Sequence, residues 1–193
     1  MTGSFQERSA RGSRSAAGGG DWPERVHSLL RAEAIDLIAL VPDAGHAALI
    51  RHCEADPGMR MVRLSTEEEG VALLAGAWLG GIRGVLLMQS SGVGNCINML
   101  SLPVMAQFPL LMLVTMRGDH GEFNPAQLPM GQASPRVLEA IGVLVKQVDA
   151  TAQVEETVHG ALRLAFNSCR PVAVLLGQKM LGAKDFRKLA RGE

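Results

Sequence analysis

The sequence predicts an α/β fold of three layers, doubly wound, with a six-stranded parallel sheet and helices on both faces. Two patterns and the chain length carry that expectation. Six aliphatic runs of strand length, at residues 35–41, 61–64, 85–88, 110–115, 144–148 and 171–176, are separated by segments with apolar residues at helical spacing. Strands that alternate with helices imply right-handed βαβ crossovers. A parallel sheet built that way is covered on both faces. The 193 residues suffice for one domain with a proper core and are too few for two large ones. The expected division is a tail at 1–21, a single domain at 22–182 and a second tail at 183–193.

Residues 1–20 are rich in Ser, Gly and Arg, with Phe5 as the large apolar side chain, so they cannot bury enough surface to offset the entropy of ordering. A transit peptide is disfavoured by Glu7 and by the lack of an amphipathic face, and no apolar run of the secretory type is present. Val26, Leu29 and Leu30 then recur at helical spacing over residues 22–34, feeding the first strand, which Pro42 ends. Val41-Pro42-Asp43-Ala44-Gly45 is a turn, in which Asp43 either caps the chain or faces a substrate, and residues 46–53 resume a helical pattern. After the second strand, Ser65 or Thr66 supplies a helix N-cap, and Glu67, Glu68 and Glu69 fill the first turn, where the macrodipole favours negative charge. Residues 71–79 hold almost nothing polar, and Gly70, Ala72, Ala75, Gly76 and Ala77 permit close approach, so this reads as a buried helix against a flat surface.

The third strand leads into Gln89-Ser90-Ser91-Gly92-Val93-Gly94-Asn95, read as a glycine-bearing loop that sets backbone N–H groups at the carboxyl edge of the sheet. Its two glycines lack Walker or dinucleotide spacing, so a plain tight turn is an equal reading. Residues 116–134 form a long polar connection, well beyond the roughly two to six residues of ordinary βα loops. It carries Arg117, Asp119, His120, Gln127 and Gln132. Arg117 suits an anionic substrate because a guanidinium matches carboxylate or sulfonate oxygens with a planar fork, whereas His120 is a proton shuttle, an anion contact or a plain exposed histidine. Helices are expected at 136–141 and 154–167.

Charge and cysteine content exclude several classes. Nineteen Lys and Arg balance nineteen Asp and Glu, which gives no electrostatic case for nucleic acid or an anionic membrane and weakly favours an oligomer. No stretch reaches the roughly 18 apolar residues of a membrane span. Cys53, Cys96 and Cys169 have neither disulfide nor zinc spacing, so a reducing cytoplasm and no protein metal site are the expectation, with Cys96 a buried residue and not a nucleophile.

The run T-E-E-E-G-V-A-L-L-A-G-A-W-L-G-G, followed by L-L-M-Q-S-S-G-V-G-N-C-I-N, resembles the pyrimidine-binding domain of thiamine-diphosphate enzymes. In particular it is similar to the family of sulfopyruvate decarboxylase alpha subunits and phosphonopyruvate decarboxylases. V-P-D-A at 41–44, P-L-L-M-L-V at 109–114 and P-A-Q-L-P-M-G-Q at 125–132 extend the likeness over roughly residues 24–180.

The resemblance implies a glutamate that activates the cofactor's aminopyrimidine by sharing a proton with N1′. Matched on its spacing to Gly76, that residue is Glu67, with Glu68 in reserve; Gln89, Ser90, Ser91, Gly92 and Asn95 are the implied cofactor contacts. Asp43, Arg117, His120, Gln127 and Gln132 are the implied substrate contacts. Related chains carry V-P-D-S or V-P-C-S at the turn, so Ala44 removes a hydroxyl there. The G-D-G motif that holds diphosphate and Mg²⁺ in such enzymes is missing, which implies a beta subunit that carries the diphosphate domain and most Mg²⁺ contacts. The implied substrate is 3-sulfopyruvate, with 3-phosphonopyruvate as the alternative; a non-catalytic regulatory or nucleotide-binding α/β subunit is the reading from another class.

Overall fold

The buried aliphatic runs do form the centre of the molecule. The computed structural model describes residues 21–182, so the tails expected at 1–21 and 183–193 lie outside it apart from Asp21. Asp21 belongs to the fold, because its carboxylate accepts from the Trp22 N–H at 2.8 Å as the N-cap of the first helix.

Helix α1 (Trp22–Ala32) precedes β1 (Leu37–Leu40), α2 (Ala47–Ala55), β2 (Arg60–Arg63), α3 (Glu67–Leu79), β3 (Gly84–Gln89), α4 (Ser90–Cys96) and α5 (Ser101–Ala106). Then come β4 (Leu110–Thr115), α6 (Leu128–Ala140), β5 (Leu144–Val148), α7 (Val154–Ser168), β6 (Pro171–Leu176) and α8 (Gln178–Leu181). The six strands form one sheet in the order β2-β1-β3-β4-β6-β5, every neighbouring pair parallel.

Successive residues along each strand face opposite ways, and this separates two cores. Ile38, Leu40, Val85, Leu87, Leu111, Leu113, Val172 and Val174 pack under α1, α2 and α7. Leu37, Ala39, Leu86, Met88, Met112, Val114, Ala173 and Leu175 pack under α3, α4 and α6. The central strands β1, β3, β4 and β6 are buried nearly throughout, so their sequences lack alternation; β2 and β5 at the edges are partly exposed. The strand order reverses between β1 and β3, so the connections leaving their carboxyl ends run to opposite faces of the sheet, α2 to one and α4 to the other, the usual place for a ligand crevice.

Three expectations are corrected. Residues 89–95 are not a loop: α4 starts directly after Gln89, and its glycines serve close packing instead of a turn. The connection after β4 is shorter than residues 116–134, because α6 begins at Leu128, eight residues before the expected helix start. Pro129 sits in its first turn, where no N–H is needed, and Pro135 lies inside the helix. Helix α3 is buried on one side only: Gly70, Val71 and Leu74 face the sheet, whereas Ala72, Gly76 and Leu79 are exposed, Leu79 at 88%.

Candidate functional site

The rotation of about 100° per residue in a helix decides which of the three glutamates turns inward. Thr66 ends the extended approach as N-cap, and Glu67, the first helical residue, is only 7% exposed while Glu68 and Glu69 face outward. Glu69 instead folds back, accepting from the Ser65 N–H at 2.8 Å. The Asn95 side-chain amide donates to Glu67 Oε2 at 2.7 Å, and among the described residues no donor reaches Oε1. A Cβ at Gly92 would lie 2.3 Å from Oε1, so glycine there is what lets α4 pass beside the carboxylate. Gly70 does the same for the floor, where an added Cβ would meet Leu86 at 2.6 Å. Neighbouring Cys96 is no nucleophile: burial, with the Glu67 and Glu68 charges adding, pushes its thiol up to about 12.

A second feature is a cavity of about 140 Å³ at the carboxyl ends of β1, β3, β4 and β6, lined by Asp43, Gly45, Gln89, Thr115, Arg117 and Gln178 among others. Asp43 Oδ1 accepts from the Gly45 N–H at 2.6 Å and from Thr115 Oγ1 at 3.0 Å, which is turn capping, while Oδ2 is buried with no partner among the described residues. Gly45 is required by this contact, since a Cβ would come within 2.7 Å of Thr115 Cγ2. Behind the turn, His46 is fully buried and its Nε2 donates to the Leu113 carbonyl at 3.0 Å. Burial lowers its pKa against the opposing pull of the Asp43 charge, so the ring stays neutral.

Arg117 closes the cavity from β4. Its Nε donates to Glu122 Oε2 at 2.6 Å and its Nη2 to Oε1 at 2.7 Å, a bidentate pair whose acidic side chain is 1% exposed. The Arg117 hydrogen bond chiefly, with those of the Asn124 N–H and Gln178, pushes Glu122 down to about 2. Gln178, at the start of α8, knits this loop to β6: its amide donates to Glu122 Oε2 at 2.9 Å, and its oxygen accepts from the Gly118 and His120 N–H groups at 3.1 and 3.3 Å. Its own N–H donates to Asp119 Oδ1 at 3.2 Å. Gly118 has φ +79°, and a Cβ on Gly131 of α6 would lie 1.9 Å from the Arg117 carbonyl, so both glycines are demanded by how closely the helix crosses this loop.

The residues singled out from sequence are distributed as follows. Glu67, Gly92 and Asn95 meet in the carboxylate cradle; Asp43, Gln89 and Arg117 line the cavity. Ser91 Oγ donates to Gln89 Oε1 at 2.9 Å, whereas Ser90 is fully buried, its Oγ accepting from the Arg117 N–H at 3.1 Å and so tying β3 to β4. His120 is exposed and meets Gln178 through its backbone; Gln127 lies in a 3₁₀ turn; Gln132 donates to the Gly118 carbonyl at 2.6 Å. None of these three lines the cavity. Glu122, Gln178, Thr115 and His46 were not anticipated. Thr115 and Gln178 had a legible signal, since each is the polar residue that interrupts an aliphatic run at a strand's carboxyl end. Among the described residues no three His, Cys, Asp or Glu side chains converge as a metal would require, and no helix is long and apolar enough to cross a membrane.

Comparison with known proteins adds independent information. No protein-family profile matches the chain. It is 33% identical over 157 residues to a protein of Methanothermobacter thermautotrophicus named sulfopyruvate decarboxylase subunit alpha, spanning 81% of this chain and 95% of that one. A Methanosarcina acetivorans sulfopyruvate decarboxylase is 33% identical over 84% of this chain but only 41% of its own length. A phosphonopyruvate decarboxylase of Streptomyces viridochromogenes is also 33% identical, over 81% of this chain and 40% of its own. Among solved structures, a 2-oxoglutarate:ferredoxin oxidoreductase from Magnetococcus marinus superposes with a TM-score of 0.63 at 15% identity, covering 84% of this chain and 29% of that one, a likeness of fold alone.

Proposed function

The chain belongs to the family of sulfopyruvate decarboxylase alpha subunits and phosphonopyruvate decarboxylases, and from that premise we propose that it is the alpha subunit of a thiamine-diphosphate-dependent 2-oxoacid decarboxylase acting on 3-sulfopyruvate. The observation that carries the cofactor reading is the Glu67 cradle. One carboxylate oxygen is fixed by Asn95, the other has no donor among the described residues, and Gly92 lets the carboxylate lie directly against α4. Those features fit a ring nitrogen that shares a proton with a carboxylate. When bound, thiamine diphosphate supplies the carbon nucleophile and the sink for the electron pair left behind as carbon dioxide departs.

This chain's part is to hold and orient. Glu67 would hold the aminopyrimidine N1′ through a shared proton, and Asn95 fixes the carboxylate by donating to Oε2, which leaves Oε1 for that role. Gln89, at the junction of β3 and α4, lines the cavity, where Arg117 meets the anionic end of the substrate. The diphosphate and Mg²⁺ fall to a beta subunit. That division is supported by relatives named as alpha subunits and by a longer sulfopyruvate decarboxylase, of which this chain spans only 41%. 3-Phosphonopyruvate is the second substrate reading, favoured by the S. viridochromogenes relative. A nucleotide-binding module depended on a loop at residues 89–95, and that segment is helix.

The test is carbon dioxide release from 3-sulfopyruvate and 3-phosphonopyruvate by the purified chain combined with a beta subunit carrying G-D-G, in thiamine diphosphate and Mg²⁺. Turnover of the first substrate that vanishes on omitting either chain is expected. A stable complex that decarboxylates no 2-oxo acid would overturn the proposal.

A further inference from the structure

Arg117 does not face the cavity as a free cation. Five N–H groups surround a guanidinium, and the edge formed by Nε and Nη2 is consumed by Glu122. What remains for a ligand is the far edge, built from Nη1 and the second Nη2 hydrogen. The plane of the group is further fixed by the Phe123 ring, whose centroid is 5.6 Å from Arg117 Cζ. Glu122 is itself held in place: Gln178 donates to Oε2 at 2.9 Å, the Asn124 N–H to Oε1 at 3.0 Å, and the Gly118 N–H to Oε2 at 3.3 Å. A carboxylate so well satisfied and buried cannot swing out to solvent without stranding Arg117.

We infer that Glu122, braced by Gln178, is the positioning residue that fixes which edge of Arg117 meets the substrate, and thereby sets affinity for the substrate's anionic end. The inference rests on the reading of Arg117 as the anion contact and deepens it. Two parallel N–H groups on the far edge pair with two oxygens of one sulfonate, phosphonate or carboxylate, a geometry lost if the guanidinium turns about its stem. Glu122 touches no reacting atom, so its effect lies in binding and not in the chemical step.

The experiment uses the reconstituted complex and two readouts: steady-state KM and kcat for 3-sulfopyruvate, and calorimetric Kd for the unreactive dianion 3-sulfopropanoate. A hydrogen bond to a charged group is worth roughly tenfold to a hundredfold in binding. Arg117→Gln is expected to raise both KM and Kd by about that much, and Glu122→Gln by about tenfold, each with kcat within about threefold of the parent. Because Glu122 acts through Arg117, the double variant should be no worse than Arg117→Gln alone. Gln178→Ala, which leaves the charges in place and removes the brace, should give a smaller change of the same kind and carries the test if Glu122→Gln fails to fold.

Additive effects in the double variant, or a fall in kcat at unchanged KM and Kd, would overturn the positioning role. If Arg117→Gln leaves Kd unchanged, the anion contact is wrong and the inference falls with it. If the complex binds 3-sulfopropanoate in an Arg117- and Glu122-dependent way yet decarboxylates nothing, the inference stands and the decarboxylase reading falls.

Discussion

Glu67 and Glu122 are both buried carboxylates, but among the described residues one has an oxygen without a donor and a neutral partner on the other, while Glu122 is saturated by a cation and three N–H donors. They should therefore respond differently to the same change. Glu67→Gln retains the shape and loses the shared proton, so turnover should fall by roughly 10² to 10⁴ with the melting temperature little moved. Glu68→Gln and Glu69→Gln should keep turnover near the parent's, as both face outward. Stopped-flow or steady-state rates of the three variants decide this, and a crippled Glu68→Gln would shift the register by one residue. Glu122 contributes differently. Its pKa is depressed to about 2 from an ordinary 4.5, so the stability it contributes is present above about pH 4.5 and is lost as pH falls through about 2. The gap in urea midpoint between the parent and Glu122→Gln should be level from pH 7 to pH 5 and close below pH 4.5. A gap that widens on acidification would contradict the assignment.

Helix α6 shows how an element can be hidden by its own punctuation. Pro125, Pro129, Gly131 and Pro135 fall within 11 residues and read as breakers, yet Pro129 occupies the first turn and Gly131 is there so that the helix can touch the Arg117 carbonyl. Gly131→Ala would place a Cβ 1.9 Å from that backbone oxygen, and overpacking against backbone costs about 1–3 kcal/mol or more. A drop in melting temperature of several degrees is expected by calorimetry, with substrate affinity falling as Arg117 shifts; an unchanged melting curve would show that the crossing is loose. The six strands were legible because aliphatic runs of that length have few other uses. So was the acidic start of α3. The boundary at residue 89 was not, since Gly92 and Gly94 have the composition of a turn and only the neighbouring Glu67 carboxylate reveals why Gly92 must be small. Glu122 was beyond reach for another reason: its meaning comes from a contact with Gln178, 56 residues further along the chain, which no local pattern encodes.

At the scale of the molecule, the cradle and the cavity occupy one edge of the sheet, and the chain carries no G-D-G for the diphosphate. The isolated chain should therefore bind thiamine diphosphate weakly and turn over no substrate, with both properties recovered on adding the beta subunit. Titration calorimetry with Mg²⁺ present checks this, and tight stoichiometric binding by the chain alone would refute the split site. The sheet's two outer strands have a further consequence. Parallel strands at an edge leave a row of unsatisfied backbone donors and acceptors, a template on which a second copy can polymerise. Here those rims carry Arg60 on β2 and Lys146 on β5, both exposed, whereas Arg63 on β2 is paired with Glu54 at 2.6 Å. Copies that approach β2 to β2 bring Arg60 against Arg60, and copies that approach β5 to β5 bring Lys146 against Lys146, so a protein with no net charge still meets like charge where fibrils would start.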